Sequence, residues 1–145
     1  MEKKKYTLED LMNIVGELRG EGGCPWDQAQ THGSMRECML NEAREVVEGI
    51  EIYEQTGESD NLCEELGDVL FQVVFHSQIG KEEGIFTIDD VIESICKKMI
   101  RRHPHVFGEN KGGSVPDWEE IKRLERELKA KEKEEARIMV DSSKK

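Results

Sequence analysis

The sequence predicts an all-α protein, folded as a bundle of four to five helices. Three patterns carry this prediction. Capping signals, in which Ser or Thr is followed three residues later by an acid, occur at T-L-E-D, S-M-R-E and T-I-D-D. The apolar residues after each signal recur at the three- and four-residue spacing of one helix face. Stretches containing Gly and Pro separate these segments from one another.

Length and charge limit the classes of protein that fit. The 145 residues are enough for one domain, which we expect at residues 1–138, followed by a disordered tail at 139–145. The net charge of −11 argues against a duplex nucleic-acid binder, because affinity for a phosphate backbone needs clustered cations. The chain has no apolar run long enough for a membrane span or a signal peptide, so we expect a cytoplasmic protein. The four widely spaced cysteines are expected to be free thiols.

The first predicted helix begins at Thr7 and ends before Gly20, with apolar residues at every third or fourth position. The stretch 20–33 contains too much Gly and Pro for regular structure and is predicted to be a loop, in which Trp26 stands out. The second predicted helix spans residues 34–55 and is amphipathic.

The third predicted helix begins at Ser59 or Asp60 and ends at Gly84. Its centre, residues 69–75, is apolar on nearly every side, which is typical of the central element of a bundle. A strand is the alternative for so short an apolar run. The length of the whole segment and its helix-type ends favour a helix.

Two further helices are predicted in the C-terminal part. The fourth begins at Thr87 and ends before Pro104, because proline disfavours helical backbone in the residue before it. A polar loop at 108–115 follows. The fifth helix begins at Asp117 and is highly charged, with only a thin apolar stripe.

Two pairs of carboxylates, each three residues apart, occur on consecutive predicted helices. Glu42 and Glu45 lie on the second, and Glu65 and Asp68 lie on the third. Each pair projects in one direction at the margin of an apolar face, so antiparallel packing would bring all four together. A divalent cation would then keep them ionised against their mutual repulsion. The alternative is that they are solvated or salt-bridged, which is the usual state of Glu in a chain with 32 acids.

The ligand type indicates which metal would bind. A site made of carboxylate oxygens, without a placed His or Cys, favours Mg²⁺, with Mn²⁺ as a substitute, over zinc or copper. A carboxylate-bridged di-iron protein is disfavoured, because the Glu-x-x-His pairs of that class are absent from both helices.

Four motifs in order make the sequence recognisable: C-P-W-D-Q-A-Q-T-H, E-A-R-E, E-E-L-G-D-V-L-F-Q-V-V-F-H and R-R-H-P-H-V-F-G. Together they strongly resemble the MazG family of nucleotide pyrophosphohydrolases, over roughly residues 8–124. This resemblance implies the all-alpha NTP pyrophosphatase fold and a homodimer or higher homo-oligomer. It also implies hydrolysis of nucleoside triphosphates to monophosphate and pyrophosphate with magnesium.

The resemblance also implies roles for individual residues. The catalytic and metal-binding residues would be Glu42, Glu45, Glu65 and Asp68. The family's K-x-x-x-R pattern resembles Lys98 and Arg102, and its W-x-x-x-K pattern resembles Trp118 and Lys122, which would bind phosphates and nucleotide. Trp26 is a further candidate for the substrate site. The physical alternative for Lys98 and Arg102 is that their charges only stabilise the C-terminal end of a helix. The alternative for the two tryptophans is that they only pack in the core.

One position departs from the family pattern. Relatives often carry a double acid where this chain has Asn41 before Glu42; Asn41 lies on the polar side of the helix, so we expect the four acids to be intact.

In the expected reaction, Glu42 or Glu45 is a candidate to orient or deprotonate the water. The expected role is clearance of non-canonical or surplus nucleotides. The alternatives are an enzyme specific for dUTP, dCTP or phosphoribosyl-ATP, and a non-catalytic bundle that binds metal and nucleotide.

Overall fold

Residues 5–143, the part of the chain that the computed structural model describes, contain helices and no strand. The helices in this range are α1 Leu8–Arg19, α2 Pro25–Ala29, α3 Arg36–Thr56, α4 Asp60–Glu83, α5 Ile88–Arg102, α6 Pro104–Phe107 and α7 Trp118–Ser143. The all-α prediction is confirmed. The five long helices correspond to the five predicted ones. The short α2 lies inside the predicted loop, and the short α6 follows the predicted end of the fourth helix.

The chain divides into two compact units, Met1–Ile92 and Glu93–Lys145, which are described in turn. The single domain at 1–138 stays a prediction from length. Residues 139–143, for which disorder was predicted, belong to α7. The charged and apolar residues before them contain no Gly or Pro that would end the helix. Residues 144–145 of the predicted tail lie outside the described residues.

In the first unit, α4 packs against both α1 and α3, and α2 packs on α1. In the apolar middle of α4, Phe75 at 0% and Val74 at 2% exposure are buried, as expected for a central helix, whereas Leu70 is 45% exposed. Burial of apolar surface of this kind is the main force that holds the unit together. The buried hydrophobic residues are Val15, Met35, Val74, Phe75, Ile79 and Ile88.

Two predicted helix starts have different outcomes. The capping box of α1 is confirmed: the Thr7 N–H donates to Asp10 Oδ2 at 2.8 Å, and the Asp10 N–H donates to Thr7 Oγ1 at 3.2 Å. The box predicted at Ser34 is wrong, since α3 begins at Arg36 without a side-chain cap. The Ser34 hydroxyl instead accepts from the N–H of Thr31 at 2.8 Å, inside the preceding turn.

A connection of three residues joins α3 to α4. Gly57 adopts a left-handed conformation with φ of 78°, which glycine reaches without steric cost, and its N–H donates to Tyr53 O at 2.8 Å. So short a turn between two packed helices makes them an antiparallel pair. We call α3, α4 and this turn the α3–α4 hairpin.

The second unit holds most of α5 together with α6 and α7. Within it, the guanidinium of Arg102 on α5 binds the carboxylate of Glu125 on α7. None of the described residues of α7 is buried, and ion pairs one turn apart, such as Arg123–Glu127 at 2.7 Å, line its surface. Across residues 5–143, every helix is too short or too polar to span a lipid bilayer.

Candidate metal centre

The α3–α4 hairpin brings the four predicted carboxylates together. Glu42 and Glu45 come from α3, and Glu65 and Asp68 come from α4. One oxygen from each lies within 4.8 Å of one oxygen from every other. The sequence therefore predicted correctly which side chains meet, while their role in binding a metal stays a prediction. We call these four residues the acid quartet.

A close approach of the two helices makes this meeting possible. A Cβ atom added to Gly49 of α3 would lie 3.1 Å from Cα and 3.3 Å from N of Leu62 on α4. Both of these atoms are backbone, so a side chain at this position could not be accommodated by a simple rotation. Gly49 lies one turn after Glu45, and Leu62 lies three residues before Glu65. The missing side chain thus lets the backbones converge beside the acid quartet.

Two oxygens of the acid quartet are buried without any hydrogen-bond partner: Glu42 Oε2 and Glu65 Oε2. Nor does any ion pair in the described part of the chain join a Lys, Arg or His to the quartet. The pKa of Glu65 rises to about 7, because its protonated form can hydrogen-bond to Glu45, because it is desolvated, and because Glu45 and Asp68 repel its charge. Burial, followed by repulsion from Glu45 and Asp68, raises the pKa of Glu42 as well.

These observations fit a divalent cation. A positive ion among the carboxylates would satisfy the unpartnered oxygens and lower the raised pKa values. Carboxylate oxygens are the ligands that hard cations such as Mg²⁺ and Mn²⁺ prefer. The alternative of solvated or salt-bridged acids does not account for the buried, unpartnered oxygens of Glu42 and Glu65. Asn41, where relatives often carry an acid, is exposed and accepts a hydrogen bond from Arg44 at 3.1 Å.

Trp26, the candidate substrate residue in the same unit, lies in the first turn of α2 and is 56% exposed. Arg19 at the end of α1 fixes this segment. Its guanidinium donates to the carbonyl oxygens of Asp27 at 2.6 Å and Gln30 at 2.9 Å. The same group binds Glu82 of α4 through two hydrogen bonds, at 2.9 and 3.0 Å. The exposed indole is therefore carried by a segment that is held to two helices.

In the second unit, three of the four remaining candidates lie together. The Arg102 guanidinium carbon is 4.8 Å from the centre of the Trp118 ring, and Lys122 Nζ is 5.9 Å from it. Both distances fall within the range of a cation–π contact. Lys98 is half-buried on α5, and none of the hydrogen bonds or ion pairs recorded for residues 5–143 joins it to this group.

The guanidinium of Arg102 binds the carboxylate of Glu125, an acid that was not predicted from the sequence to belong to the site. Glu125 accepts from Arg102 Nε at 2.8 Å and from Nη2 at 3.0 Å, and Arg101 lies 3.2 Å from the same carboxylate. The hydrogen bond from Arg102, with a further one from Arg101, holds the pKa of Glu125 at about 2. Glu125 follows Trp118 by seven residues and Lys122 by three, so the spacing on one helix face could have identified it.

Comparison with known proteins adds to this picture. Residues 30–107 match the model of the MazG nucleotide pyrophosphohydrolase domain. The chain is 46% identical over 126 residues to the nucleoside triphosphate pyrophosphohydrolase/pyrophosphatase MazG of Thermotoga maritima, covering 87% of this chain and 48% of that protein. It is 42% identical over 128 residues to the nucleoside triphosphate pyrophosphohydrolase of Escherichia coli K12, covering 85% and 47%. It is also 49% identical over 125 residues to the uncharacterized protein YabN of Bacillus subtilis, covering 83% and 25%.

A solved structure supports the fold. The crystal structure of a mazG-related protein from Thermotoga maritima superposes with a TM-score of 0.59 and 23% identity, covering 85% of this chain and 99% of that one. The chain spans about a quarter to a half of the length of the three curated relatives from Thermotoga maritima, Escherichia coli and Bacillus subtilis. The acid quartet and the pair Lys98 and Arg102 lie inside the matched domain, whereas Trp26, Trp118 and Lys122 lie outside it. Since the domain match covers more than half of its residues, the chain belongs to the MazG nucleotide pyrophosphohydrolase family.

Proposed function

We propose that this protein is an enzyme that hydrolyses nucleoside triphosphates to monophosphate and pyrophosphate with a divalent cation held by the acid quartet, Mg²⁺ being the expected ion. The observation that carries the proposal is the set of four carboxylates within 4.8 Å, two of them with buried, unpartnered oxygens, inside the matched domain. The names of the relatives from Thermotoga maritima and Escherichia coli support the choice of reaction.

In the proposed reaction, water adds across the anhydride between the α- and β-phosphates, and pyrophosphate leaves. A divalent cation would supply charge neutralisation on the phosphates and Lewis-acid polarisation of the scissile bond. Glu42 and Glu65, whose buried oxygens lack other partners, are the members best suited to hold it. Glu45 is exposed, so it is the better placed of the two α3 acids to orient or deprotonate a solvent water.

Nucleotide binding would use the remaining candidates. Arg102 offers a planar fork for phosphate oxygens, and Lys98 and Lys122 offer point charges. The exposed rings of Trp26 and Trp118 offer stacking surfaces for a base. For Arg102 to bind phosphate, its two hydrogen bonds to Glu125 have to be exchanged for bonds to the substrate.

Self-association is a further part of the proposal. Several large apolar side chains of the α3–α4 hairpin are exposed, and packing them against a second copy would remove them from water. These residues are Leu40, Val47, Ile50, Leu66 and Leu70. We therefore expect a homodimer or a higher homo-oligomer, which light scattering coupled to size-exclusion chromatography measures directly. A cytoplasmic location and the absence of binding to duplex nucleic acid stay predictions.

The decisive experiment is a panel of canonical and modified nucleoside triphosphates, with monophosphate and pyrophosphate scored separately in the presence and absence of Mg²⁺. We expect both products in equal amounts and no turnover in EDTA. Glu65→Gln and Asp68→Asn should lower kcat by at least about a hundredfold, as the loss of a transition-state interaction requires. Glu64→Gln, at the exposed position next to Glu65, is the matched control and should retain activity.

Each contrary result has a clear meaning. If Glu65→Gln or Asp68→Asn keeps full Mg²⁺-dependent turnover with an unchanged circular dichroism spectrum, the proposed metal site is wrong. Tight nucleotide binding without any product would identify a non-catalytic bundle. Turnover confined to dUTP, dCTP or phosphoribosyl-ATP would identify a nucleotide-specific enzyme.

A further inference from the structure

Two histidines from distant parts of the sequence share a hydrogen bond. His32 lies in the segment after α2, and His76 lies on α4. Their Nδ1 atoms are 2.8 Å apart, and the ring planes differ by only 4°. The ring centroids are 5.1 Å apart, much farther than these two nitrogens, so the parallel rings meet edge to edge. One Nδ1 must therefore carry a proton and donate it to the other.

Among residues 5–143, one carboxylate lies within ion-pair distance of the pair. Glu83 Oε2 of α4 is 3.6 Å from His32 Nε2, which is buried and has no hydrogen-bond partner. From the turn after α4, the apolar ring of Phe86 lies 6.1 Å from the His32 ring. From the end of α1, the charge of Arg19 is already bound to Glu82. Glu83 is thus the carboxylate that can favour a positive charge on His32.

The number of protons on the pair decides whether it can form. With no extra proton, one imidazole donates from Nδ1 and the other accepts. With one extra proton, the charged ring still donates to the neutral one. With two extra protons, both Nδ1 atoms carry hydrogen and face each other as like charges, so the bond is lost. Burial, followed by the charge of His32, lowers the pKa of His76, in agreement with the resistance to a second proton.

We propose that the His32–His76 pair is a pH-sensitive contact. It holds residues 25–33, which we call the α2 segment, on α4, and it breaks when both rings become protonated. Side chains attach the segment to α4 in three ways: this pair, the contact of His32 with Glu83, and the bridge through Arg19 to Glu82. Opening the pair therefore removes the hydrogen bond that places His32 against His76, at the end of the segment that leads into α3. His32 and His76 act as positioning residues, because they affect a ligand only through the residues that the segment carries.

The consequence for nucleotides rests on the proposed function, in which the exposed Trp26 of this segment stacks on the base. If the pair opens, the segment loses its fixed position and Trp26 with it. We expect KM for the triphosphate to rise as the pH falls below the ordinary histidine pKa of about 6.5, with a smaller change in kcat. At saturating Mg²⁺, where the protonation of Glu65 no longer limits metal binding, this pH response of KM should be absent in His76→Gln, whose amide can donate to His32 Nδ1 but does not titrate.

The test of the pair itself needs no catalysis. Imidazole ¹⁵N and ¹H NMR shifts, followed against pH, should show His32 and His76 titrating as a coupled pair in two steps, the second below about 6.5. In His76→Gln, the coupling should vanish and His32 should titrate in a single step. If His32 titrates identically in the wild type and in His76→Gln, the proposed pH-sensitive contact is wrong.

Hydrogen exchange of residues 25–33 measures the opening. After correction for intrinsic rates, protection of this segment should fall about tenfold for each pH unit between the ordinary histidine pKa of about 6.5 and the second titration step, as linkage to one proton requires, and should level off below that step. The α3–α4 hairpin should keep its protection and thus shows that the fold is intact. In His76→Gln, the segment should stay protected at pH values above and below the second titration step. In His76→Leu, the segment should be unprotected at both. Equal pH dependence in all three proteins would overturn the proposal, whether or not the protein hydrolyses nucleotides.

Discussion

Gly49 of α3 faces the backbone of Leu62 on α4 so closely that a methyl group would lie 3.1 Å from the Leu62 Cα atom. This close approach lies beside the acid quartet, on the side of the connection between α3 and α4. The spacing of the helices at this point therefore sets the spacing of the carboxylates. A substitution here should alter the proposed metal site without removing any of the four carboxylates.

The first prediction concerns Gly49→Ala. Overpacking costs about 1–3 kcal/mol, and alanine recovers about 1 kcal/mol of helix propensity, so we expect a net loss of about 1 kcal/mol in the free energy of unfolding. Mg²⁺ affinity should fall several-fold, because the carboxylates move apart. Denaturant unfolding and calorimetric titration measure these quantities.

The control for Gly49→Ala is Gly67→Ala. Gly67 lies inside α4, and a Cβ atom there would have no neighbour within 4 Å. This substitution should stabilise the protein by about 0.5–1 kcal/mol through helix propensity alone. If both variants have the same stability and Gly49→Ala binds Mg²⁺ as the wild type does, the close approach does not control the site.

The second prediction concerns competition between protons and the metal. Because the pKa of Glu65 is about 7, a proton occupies this ligand at pH 6 and is mostly absent at pH 8. Mg²⁺ should therefore bind about tenfold more tightly at pH 8 than at pH 6, with release of a proton at the lower pH. Calorimetry in buffers of different ionisation enthalpy measures the proton release. Glu65→Gln should bind weakly and lose this pH dependence, and an unchanged dependence would assign it to another group.

The third prediction concerns the stability of the metal-free protein. The folded-state pKa of Glu65, about 7, lies above the ordinary value of about 4.3. The unfolded chain therefore binds fewer protons than the folded one between these values, and stability falls as the pH rises through 7. We expect a lower Tm at pH 8 than at pH 6 in EDTA, and a larger increase in Tm on adding Mg²⁺ at pH 8. A Tm that is higher at pH 8 in EDTA would contradict the raised pKa.

The fourth prediction concerns Glu125, which occupies the guanidinium of Arg102 through hydrogen bonds of 2.8 and 3.0 Å. Glu125→Gln removes the charge but keeps the size of the side chain, so the protein should be less stable and Arg102 should be easier to reach. If Arg102 binds phosphate, KM for the triphosphate should fall several-fold while kcat changes little.

A matched acid tests the specificity of this effect. Glu127 lies on the same helix and pairs at the surface with Arg123. Glu127→Gln should leave KM unchanged, because exposed pairs of this kind contribute little. A higher KM in Glu125→Gln would instead show that Glu125 holds Arg102 in its binding position. Since the pKa of Glu125 is about 2, the pair should persist over the whole range of pH 5–8.

Local patterns explain most of what could be predicted. The five long helices follow from periodicity and capping, which depend on residues within a turn or two of each other. The acid quartet follows from two i, i+3 pairs on helices joined by a short turn. Ser34 shows the limit of such reasoning: its capping signal was present, but the hydroxyl binds the N–H of Thr31 inside the turn instead.

Contacts between distant residues were not predictable in this way. His32 and His76 are 44 residues apart, and no local spacing indicates that their Nδ1 atoms meet. The bond between Arg102 and Glu125 likewise depends on how α5 and α7 pack within the second unit. Gly49 was not singled out either, because the need for a missing side chain appears only once Leu62 is placed opposite it.

The acid quartet lies entirely within residues 42–68, on two consecutive helices and the turn between them. None of the four carboxylates of the proposed metal site comes from a remote part of the sequence. A site with this organisation is modular: gene duplication, fusion or insertion outside residues 42–68 can lengthen a protein and leave the ligand geometry as it was. The curated relatives of this chain are about two to four times as long as the segment they share with it, which is the kind of variation that such a hairpin permits.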